Sequence, residues 1–136
     1  MSSDPAAETV LDSSGVLAVV RTEPGYELVV EALRAEPAPS ISSVNLAEVV
    51  TKLADWGYAE PRIVTLLNSL NLRVVPFDAQ QAHIAGMLRP ATRSAGLSLG
   101  DRACIALAIR LHTRVLTMDA VWATLDLPVD VVVARP

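Results

Sequence analysis

Short apolar runs alternate along the chain with longer segments in which apolar positions recur every three or four residues. The short runs predict strands at 9–11, 40–42, 72–76, 115–117 and 129–133. The longer segments between them predict helices. Strands that alternate with single helices or helix pairs are typical of a parallel sheet with right-handed crossovers. We therefore expect an α/β domain with a central parallel sheet of about five short strands.

The predicted helices begin or end at recognisable capping residues and cover both faces of the sheet. They span residues 16–21, 26–34, 46–56, 62–70, 78–88, 99–112 and 120–125. Residues 90–96 are small and polar, and this predicts a loop. The strand at 72–76 is mostly apolar and lacks a regular polar alternation, which favours a sheet that is covered on both faces.

The stretch 97–122 brings two acids to one edge of this sheet. Ser98 caps an apolar helix that carries Asp101 in its first turn, and Asp119 directly follows the next strand. A helix N-terminus and a strand C-terminus both lie at the carboxyl edge of a parallel sheet, where open α/β folds bind ligands. Because Ser98 is sufficient to cap the helix, we expect Asp101 to be free of a capping role.

Two further acids are predicted at the same edge. Asp12 follows the first strand, and Glu48 lies in the early turns of the helix after the second strand. Carboxylates that lie close together raise one another's pKa unless a cation holds them ionised. Oxygen ligands select hard ions such as Mg²⁺ or Mn²⁺, which activate water and bridge to phosphates. The hydroxyls of Ser14 and Thr117 are candidates to orient water or phosphate there.

Composition limits the class of protein. A chain of 136 residues that is 51% hydrophobic predicts a single domain over residues 9–136, preceded by a loose tail at residues 1–8. The lone cysteine, Cys104, lies in an apolar helix and is predicted to be a buried small hydrophobe. The net charge of −4 argues against a broad nucleic-acid-coating surface, but a metal-dependent nuclease concentrates acids at its site. The chain shows no signal-peptide or membrane-spanning pattern, so we expect a cytoplasmic protein.

The four acids and their flanking residues resemble the motifs of PIN-domain ribonucleases, particularly VapC-type toxins of bacterial toxin–antitoxin pairs. The matching segments are DSS from Asp12, SVNLAE ending at Glu48, LGD ending at Asp101 and LTMD ending at Asp119. This resemblance covers nearly the whole chain. It implies a three-layer α/β/α PIN-like domain in which the four acids bind Mg²⁺ or Mn²⁺ and catalyse the cleavage of RNA.

The same resemblance implies partners. They are an RNA substrate such as tRNA or another structured RNA, a second copy of the chain in a homodimer, and a small cognate antitoxin that covers the site. Arg89, Arg93 and Arg102 flank Asp101 and are candidates to guide RNA phosphates, although solvated arginines are equally compatible with the sequence. Aromatic residues make up only 4% of the chain, which favours recognition of RNA shape over extended base stacking.

Two other functions remain open from the sequence. The segment DSSGVL from Asp12 also resembles the first motif of haloacid-dehalogenase-like hydrolases. However, Ser14 stands where phosphatases of that family have a second acid, and Lys52 is the only lysine available to their chemistry. The second alternative is a PIN-like binding module that keeps the fold without turnover, and the four intact acids argue against it.

Overall fold

Five short strands form one parallel sheet at the centre of the computed structural model, which describes residues 8–135. They are β1 (Thr9–Leu11), β2 (Ser40–Ser42), β3 (Arg73–Val75), β4 (Arg114–Thr117) and β5 (Val131–Val133). Their order across the sheet is β3-β2-β1-β4-β5, and each neighbouring pair is parallel. The predicted parallel sheet is therefore confirmed. Except for Glu8, the tail predicted at residues 1–8 lies outside the described residues, as does Pro136.

Helices connect the strands and follow the predicted pattern closely. They are α1 (Ser13–Arg21), α2 (Tyr26–Arg34), α3 (Ser43–Asp55), α4 (Glu60–Ser69), α5 (Ala79–Met87), α6 (Arg89–Thr92), α7 (Leu99–Leu111) and a 3₁₀ helix (Ala120–Thr124). The prediction of a loop at 90–96 is wrong for its first residues, which belong to α6. Pro90 suits the first turn of a helix because its missing N–H is not needed there. None of the helices in residues 8–135 combines the length and apolarity needed to cross a membrane.

Alternating side chains of the central strands fill two separate cores, one on each face of the sheet. Leu11 and Ile41 pack with α1, α2, α3 and α4 on one face. Val10 and Val115 pack with α7 and the fully buried Trp122 on the other. Two helical layers therefore enclose the sheet, which confirms the predicted three-layer α/β/α architecture.

The outer strand β3 is less buried than the central strands. Arg73 and Val74 are exposed, although the sheet as a whole is covered on both faces as predicted. β3 lies at the edge of the sheet and has one neighbour, β2, whereas the helices pack mainly over the central strands. Its position at the edge therefore leaves part of its apolar surface exposed.

The order of the strands creates a crevice beside β1. The chain places β2 and β3 on one side of β1 and then crosses to place β4 and β5 on the other side. Connections that leave two adjacent parallel strands in opposite directions open a crevice at the carboxyl ends of those strands. Asp12 follows β1 and Thr117 ends β4, so both residues lie at this position.

Candidate active site

Asp12 is the most deeply buried of the predicted acids, with only 4% of its surface exposed. It is the N-cap of α1, where its Oδ1 accepts hydrogen bonds from the Gly15 backbone N at 3.0 Å and Ser14 Oγ at 2.7 Å. Its Oδ2 accepts a hydrogen bond from Thr117 Oγ1 at 2.6 Å. Burial raises the pKa of Asp12 to about 6, even though these hydrogen bonds favour the ionised form.

The two predicted hydroxyls hold Asp12 in place. Thr117 is fully buried, and its Oγ1 donates to Asp12 while accepting from the Asp119 backbone N at 3.1 Å. Ser14 Oγ donates to Asp12 and accepts from the Met118 backbone N at 3.1 Å. The proton of each hydroxyl is used by Asp12, so both side chains position this acid. Their role in orienting water or phosphate stays a prediction.

Glu48 enters the crevice from α3 and is anchored by one of its two oxygens. Its Oε1 accepts hydrogen bonds from Ser13 Oγ at 3.1 Å and from Asn45 Nδ2 at 2.9 Å. The same Asn45 Nδ2 also donates to the backbone oxygen of Gly100 at 3.0 Å. Among the described residues, nothing donates a hydrogen bond to Oε2. The side chain therefore has one fixed and one available oxygen.

Gly100 leaves the space that the Glu48 carboxylate occupies. A Cβ atom built on Gly100 would lie 2.1 Å from Glu48 Oε2 and 2.6 Å from Glu48 Cδ, closer than real Cβ contacts. Gly100 has an ordinary helical backbone in the first turn of α7, so this close approach is the reason for the glycine. Sequence reasoning identified neither Gly100 nor Asn45 as part of the site.

Asp101 is half-buried at the N-terminus of α7 and forms a complete capping box with Ser98. The Ser98 backbone N donates to Asp101 Oδ2 at 2.9 Å, and the Asp101 backbone N donates to Ser98 Oγ at 3.1 Å. The prediction that Asp101 is free of a capping role is therefore wrong. The Ser-x-x-Asp spacing satisfies two orphan N–H groups reciprocally, which one serine alone does not achieve. Within the described structure, Oδ1 accepts no hydrogen bond.

Asp119 is the most exposed of the four acids. It follows β4 and caps the 3₁₀ helix, where its Oδ1 accepts from the Val121 backbone N at 3.0 Å. No other described residue donates a hydrogen bond to its side chain. Asp119 therefore has a local anchor and a free oxygen, as Asp101 does.

The four acids form an electrostatic cluster without a protein cation. Burial raises the pKa of Asp101, and the negative charges of Glu48 and Asp119 raise it further. The charge of Asp101 in turn contributes to the raised pKa of Asp12. In residues 8–135, none of the four acids makes an ion pair with a lysine, arginine or histidine. Their mutual repulsion is therefore uncompensated within this part of the chain.

Comparison with known protein families identifies the family of the domain that carries these acids. The PIN domain family matches residues 9–127 of the chain. The chain belongs to the PIN domain family. This confirms the resemblance found in the sequence and removes the haloacid-dehalogenase alternative.

Curated relatives and solved structures agree with the assignment to the PIN domain. Ribonuclease VapC42 of Mycobacterium tuberculosis (strain ATCC 25618 / H37Rv) is 29% identical over 106 residues, which cover 73% of this chain and 81% of the relative. The crystal structure of VapBC2 from Rickettsia felis, bound to a promoter DNA fragment, has a TM-score of 0.72 at 19% identity and covers 92% of this chain and 97% of that chain. VapC20 from Mycobacterium tuberculosis, described as a Sarcin-Ricin loop cleaving toxin, has a TM-score of 0.68 at 16% identity, with 85% and 94% covered. At these identities the structural likeness shows the fold.

The donor atoms of the four acids in this PIN domain have the chemistry that a hard divalent cation prefers. Carboxylate oxygens that accept no hydrogen bond from a described residue are available on Glu48 (Oε2), Asp101 (Oδ1) and Asp119. Asp12 adds a charge in a buried position. Oxygen ligands of this kind match Mg²⁺ or Mn²⁺. The acids nevertheless do not form a preassembled cage, because no three ligand-type side chains of the described residues lie close enough together. The chemistry of the donor set therefore fits a cation, although the four side chains do not form a ready-made cage for it.

The predicted arginines have different environments. Arg89 and Arg93 are exposed in and directly after α6. Arg102 is half-buried, and its guanidinium donates to the backbone oxygen of Ala85 at 3.0 Å. This contact joins α7 to the last turn of α5, where an arginine stabilises unpaired helix carbonyls. Arg102 thus has a structural contact, and a role of Arg89, Arg93 or Arg102 in RNA binding stays a prediction.

The cysteine has the role expected from the sequence. Cys104 is a free, buried residue of α7 that packs in the same core as Val10 and Trp122. Burial raises the pKa of its thiol well above the usual value, and the charges of Asp12, Asp101 and Glu48 raise it further. A thiol in this environment is protonated and unreactive at neutral pH.

Proposed function

We propose that this PIN domain is a VapC-type toxin, a metal-dependent endoribonuclease that cleaves RNA phosphodiester bonds and is neutralised by a cognate antitoxin. The observation that carries the proposal is the uncompensated cluster of Asp12, Glu48, Asp101 and Asp119 at the β1–β4 crevice. Such a concentration of negative charge in a PIN domain is suited to hold cations that contact the phosphates of RNA. The names of the curated relatives, VapC ribonucleases of Mycobacterium species, support the same activity.

The four acids are the residues that would hold Mg²⁺ or Mn²⁺. When bound, the ion activates a water molecule and neutralises charge that develops on the phosphate. The chain itself orients the acids: Ser14 and Thr117 hold Asp12, and the side chains around Oε1 hold Glu48. Hydrolysis joins the water oxygen to phosphorus and breaks one phosphorus–oxygen ester bond of the RNA.

The partners of the proposed toxin are an RNA substrate, an antitoxin and a second copy of the chain. We expect the RNA to be tRNA or another structured RNA, because the chain has few aromatic side chains for base stacking. Solved neighbours that are toxin–antitoxin complexes support an antitoxin partner for this chain. A homodimer is proposed from the family resemblance. This activity requires the cytoplasm, where RNA and antitoxin are both made.

Incubation of the antitoxin-free protein with total RNA tests the proposed activity. We expect discrete fragments with Mg²⁺ or Mn²⁺ and none with a chelator, and sequencing of the fragment ends identifies the target. Asp101→Asn is expected to remove both cleavage and cellular toxicity while circular dichroism shows a folded protein. A folded wild-type protein that yields no fragments with either metal favours a binding module without turnover. Full toxicity of the Asp101→Asn variant contradicts the site assignment.

A further inference from the structure

Asn45 is a buried residue of α3 that bridges two parts of the site. Only 1% of its surface is exposed. Its Nδ2 donates one hydrogen bond to Glu48 Oε1 at 2.9 Å and another to the backbone oxygen of Gly100 at 3.0 Å. Its Oδ1 is also buried and has no hydrogen-bond partner among the described residues. The amide therefore uses both of its protons and leaves its oxygen unpaired.

The chemistry of the two acceptors fixes the orientation of this amide. Glu48 Oε1 is a carboxylate oxygen and Gly100 O is a carbonyl oxygen, so both require a donor. A flipped amide would place Oδ1 against both oxygens and lose both hydrogen bonds. A serine or threonine hydroxyl has a single proton, and a carboxylate at neutral pH has none. Of the common short polar side chains, asparagine supplies two donors here, and it does so although its own oxygen stays unsatisfied.

The bridge distinguishes the two oxygens of Glu48. Oε1 accepts from Asn45 and from Ser13 Oγ, which ties α3 to α1. Oε2 receives no hydrogen bond from the described residues and lies where a side chain at Gly100 would otherwise be. Through Gly100, the same amide also holds the first turn of α7, which carries Asp101. One side chain thus sets the relative position of two acids on different helices.

We propose that Asn45 is a positioning residue of the nuclease site, whose amide fixes Glu48 against the N-terminus of α7 and leaves Oε2 available to a divalent cation. This inference rests on the proposed function, since it assigns Asn45 to the same metal-dependent site. It predicts that Asn45 acts through Glu48 and determines how tightly the cation binds. Groups that orient a metal ligand typically change metal affinity by about 10- to 100-fold when they are removed.

Binding of Mn²⁺, measured by electron paramagnetic resonance of the free ion, tests this role without relying on cleavage. We expect Asn45→Ala to weaken Mn²⁺ binding by roughly 10- to 100-fold. Gln81→Ala is the matched control because Gln81 is also a buried amide, 2% exposed, with an unpartnered Oε1. The Gln81 Nε2 donates to Pro76 O at 3.0 Å. Among the described residues, no hydrogen bond connects the Gln81 side chain to the four acids of the site. We expect Gln81→Ala to lower the melting temperature but to retain the Mn²⁺ affinity of the wild type.

A double-mutant cycle with Glu48→Gln separates positioning from general destabilisation. If Asn45 acts through Glu48, adding Asn45→Ala to the Glu48→Gln variant causes little further loss of Mn²⁺ affinity. Equal effects in both backgrounds would overturn the proposal, as would unchanged affinity in a folded Asn45→Ala protein or a wild-type protein that binds no Mn²⁺. RNA cleavage by the wild type is measured in parallel. Its absence, together with Asn45-dependent Mn²⁺ binding, would reject the nuclease and keep the positioning role.

Discussion

The acidic site consists of two pairs that are held in different ways. The inner pair, Asp12 and Glu48, accepts hydrogen bonds from side chains that are distant in sequence, such as Thr117 for Asp12 and Ser13 for Glu48. The outer pair, Asp101 and Asp119, is held by backbone N–H groups within three residues of each acid. The tertiary fold therefore fixes the inner pair, whereas local helix capping holds the outer pair.

A metal-dependent site requires a fixed position for the cation and ligands that can adjust to the cation and the substrate, and the two pairs differ in this respect. The inner acids are preorganised by the tertiary structure, and burial disfavours the charge of Asp12, as its raised pKa shows. The outer acids have local anchors only, and each keeps an oxygen that no described residue uses. We infer that the inner pair defines where a cation binds and that the outer pair adjusts to the cation and the substrate. Changes to the inner pair should therefore have the larger effects.

Asp12→Asn is expected to have the largest effect on activity. The substitution keeps the size of the side chain but removes the charge that is most deeply buried in the crevice. RNA cleavage should fall below detection with either Mg²⁺ or Mn²⁺, measured by the yield of discrete fragments from total RNA. Cleavage at the wild-type rate would show that Asp12 has only its capping role on α1.

The same substitution should stabilise the protein at neutral pH. The pKa of Asp12 is about 6 in the folded state against 3.8 for an unperturbed aspartate, so folding favours the protonated form. The contribution of Asp12 to stability is thus present below pH 3.8 and is lost as the pH rises to 6. By linkage, the loss is on the order of 2–3 kcal/mol at pH 7. Asparagine does not titrate and escapes this loss.

Chemical denaturation at several pH values, in the presence of a chelator, tests whether Asp12→Asn is more stable than the wild type at neutral pH. We expect the free energy of unfolding of Asp12→Asn to exceed that of the wild type by an amount that grows between pH 4 and pH 7. The other groups titrate in both proteins, so the difference reports on Asp12 and on its coupling to Asp101. A difference that does not change with pH would mean that folding does not shift the pKa of Asp12.

Gly100→Ala tests the inner pair without altering an acid. The new Cβ would collide with the Glu48 carboxylate, which its hydrogen bonds hold in place. Because displacement of a catalytic group by about 1 Å costs roughly 100-fold in rate, we expect cleavage to fall by about that factor. The measurement is single-turnover cleavage of an RNA identified from the fragment ends.

Gly86→Ala is the matched control for this substitution. Gly86 lies inside α5, and a Cβ there would meet nothing within 4 Å. Alanine should stabilise that helix by about 0.5–1 kcal/mol and leave cleavage unchanged. If Gly100→Ala behaves like Gly86→Ala, Glu48 moves aside without consequence and does not belong to the fixed pair.

Thr117→Val should have a smaller effect because it leaves all four acids in place. The substitution keeps the shape of the buried side chain but removes the donor to Asp12 and the acceptor for the Asp119 backbone N. We expect a loss of about 1–3 kcal/mol in stability and roughly 10-fold in cleavage. Thr92→Val is the control, since Thr92 is also fully buried but donates to the Leu88 backbone oxygen within its own helical segment. Equal cleavage by both variants would exclude a positioning role for Thr117.

The contrast between the pairs also explains what the sequence could predict. The outer pair depends on local spacing, so the helix cap at Ser98 and the strand end before Asp119 were visible in the sequence. The inner pair depends on contacts between residues far apart, such as Asn45 with Gly100. Single-sequence patterns contain no information about such pairings. The four acids were identified from the predicted strand and helix ends and from the family resemblance. Ser14 and Thr117 were named as candidates in another role, whereas Asn45 and Gly100 were missed.

The environments of single side chains are hidden from the sequence for a similar reason. A mostly apolar run does not tell whether a strand lies at the centre or the edge of a sheet, and β3 lies at the edge with Val74 exposed. An arginine beside an acid suggests a phosphate contact, but the sequence does not show that Arg102 also donates to a helix carbonyl. In both cases the environment depends on the order of the elements in space. Apart from α6, the pattern of strands and helices, which is local, was predicted correctly.

Arg93→Ala should give the smallest effect and tests whether the outer side of the site meets RNA. Arg93 is exposed directly after α6, in the turn that leads into α7, the helix that carries Asp101 in its first turn. If it contacts one phosphate, its loss should weaken RNA binding a few-fold and reduce the slope of log affinity against log salt by about 1. Arg110→Ala is the control, because Arg110 is exposed in the last turn of α7, about 14 Å along the helix from Asp101. Binding is measured with the inactive Asp12→Asn protein, so that the RNA stays intact. Equal salt slopes for both variants would exclude a phosphate contact by Arg93.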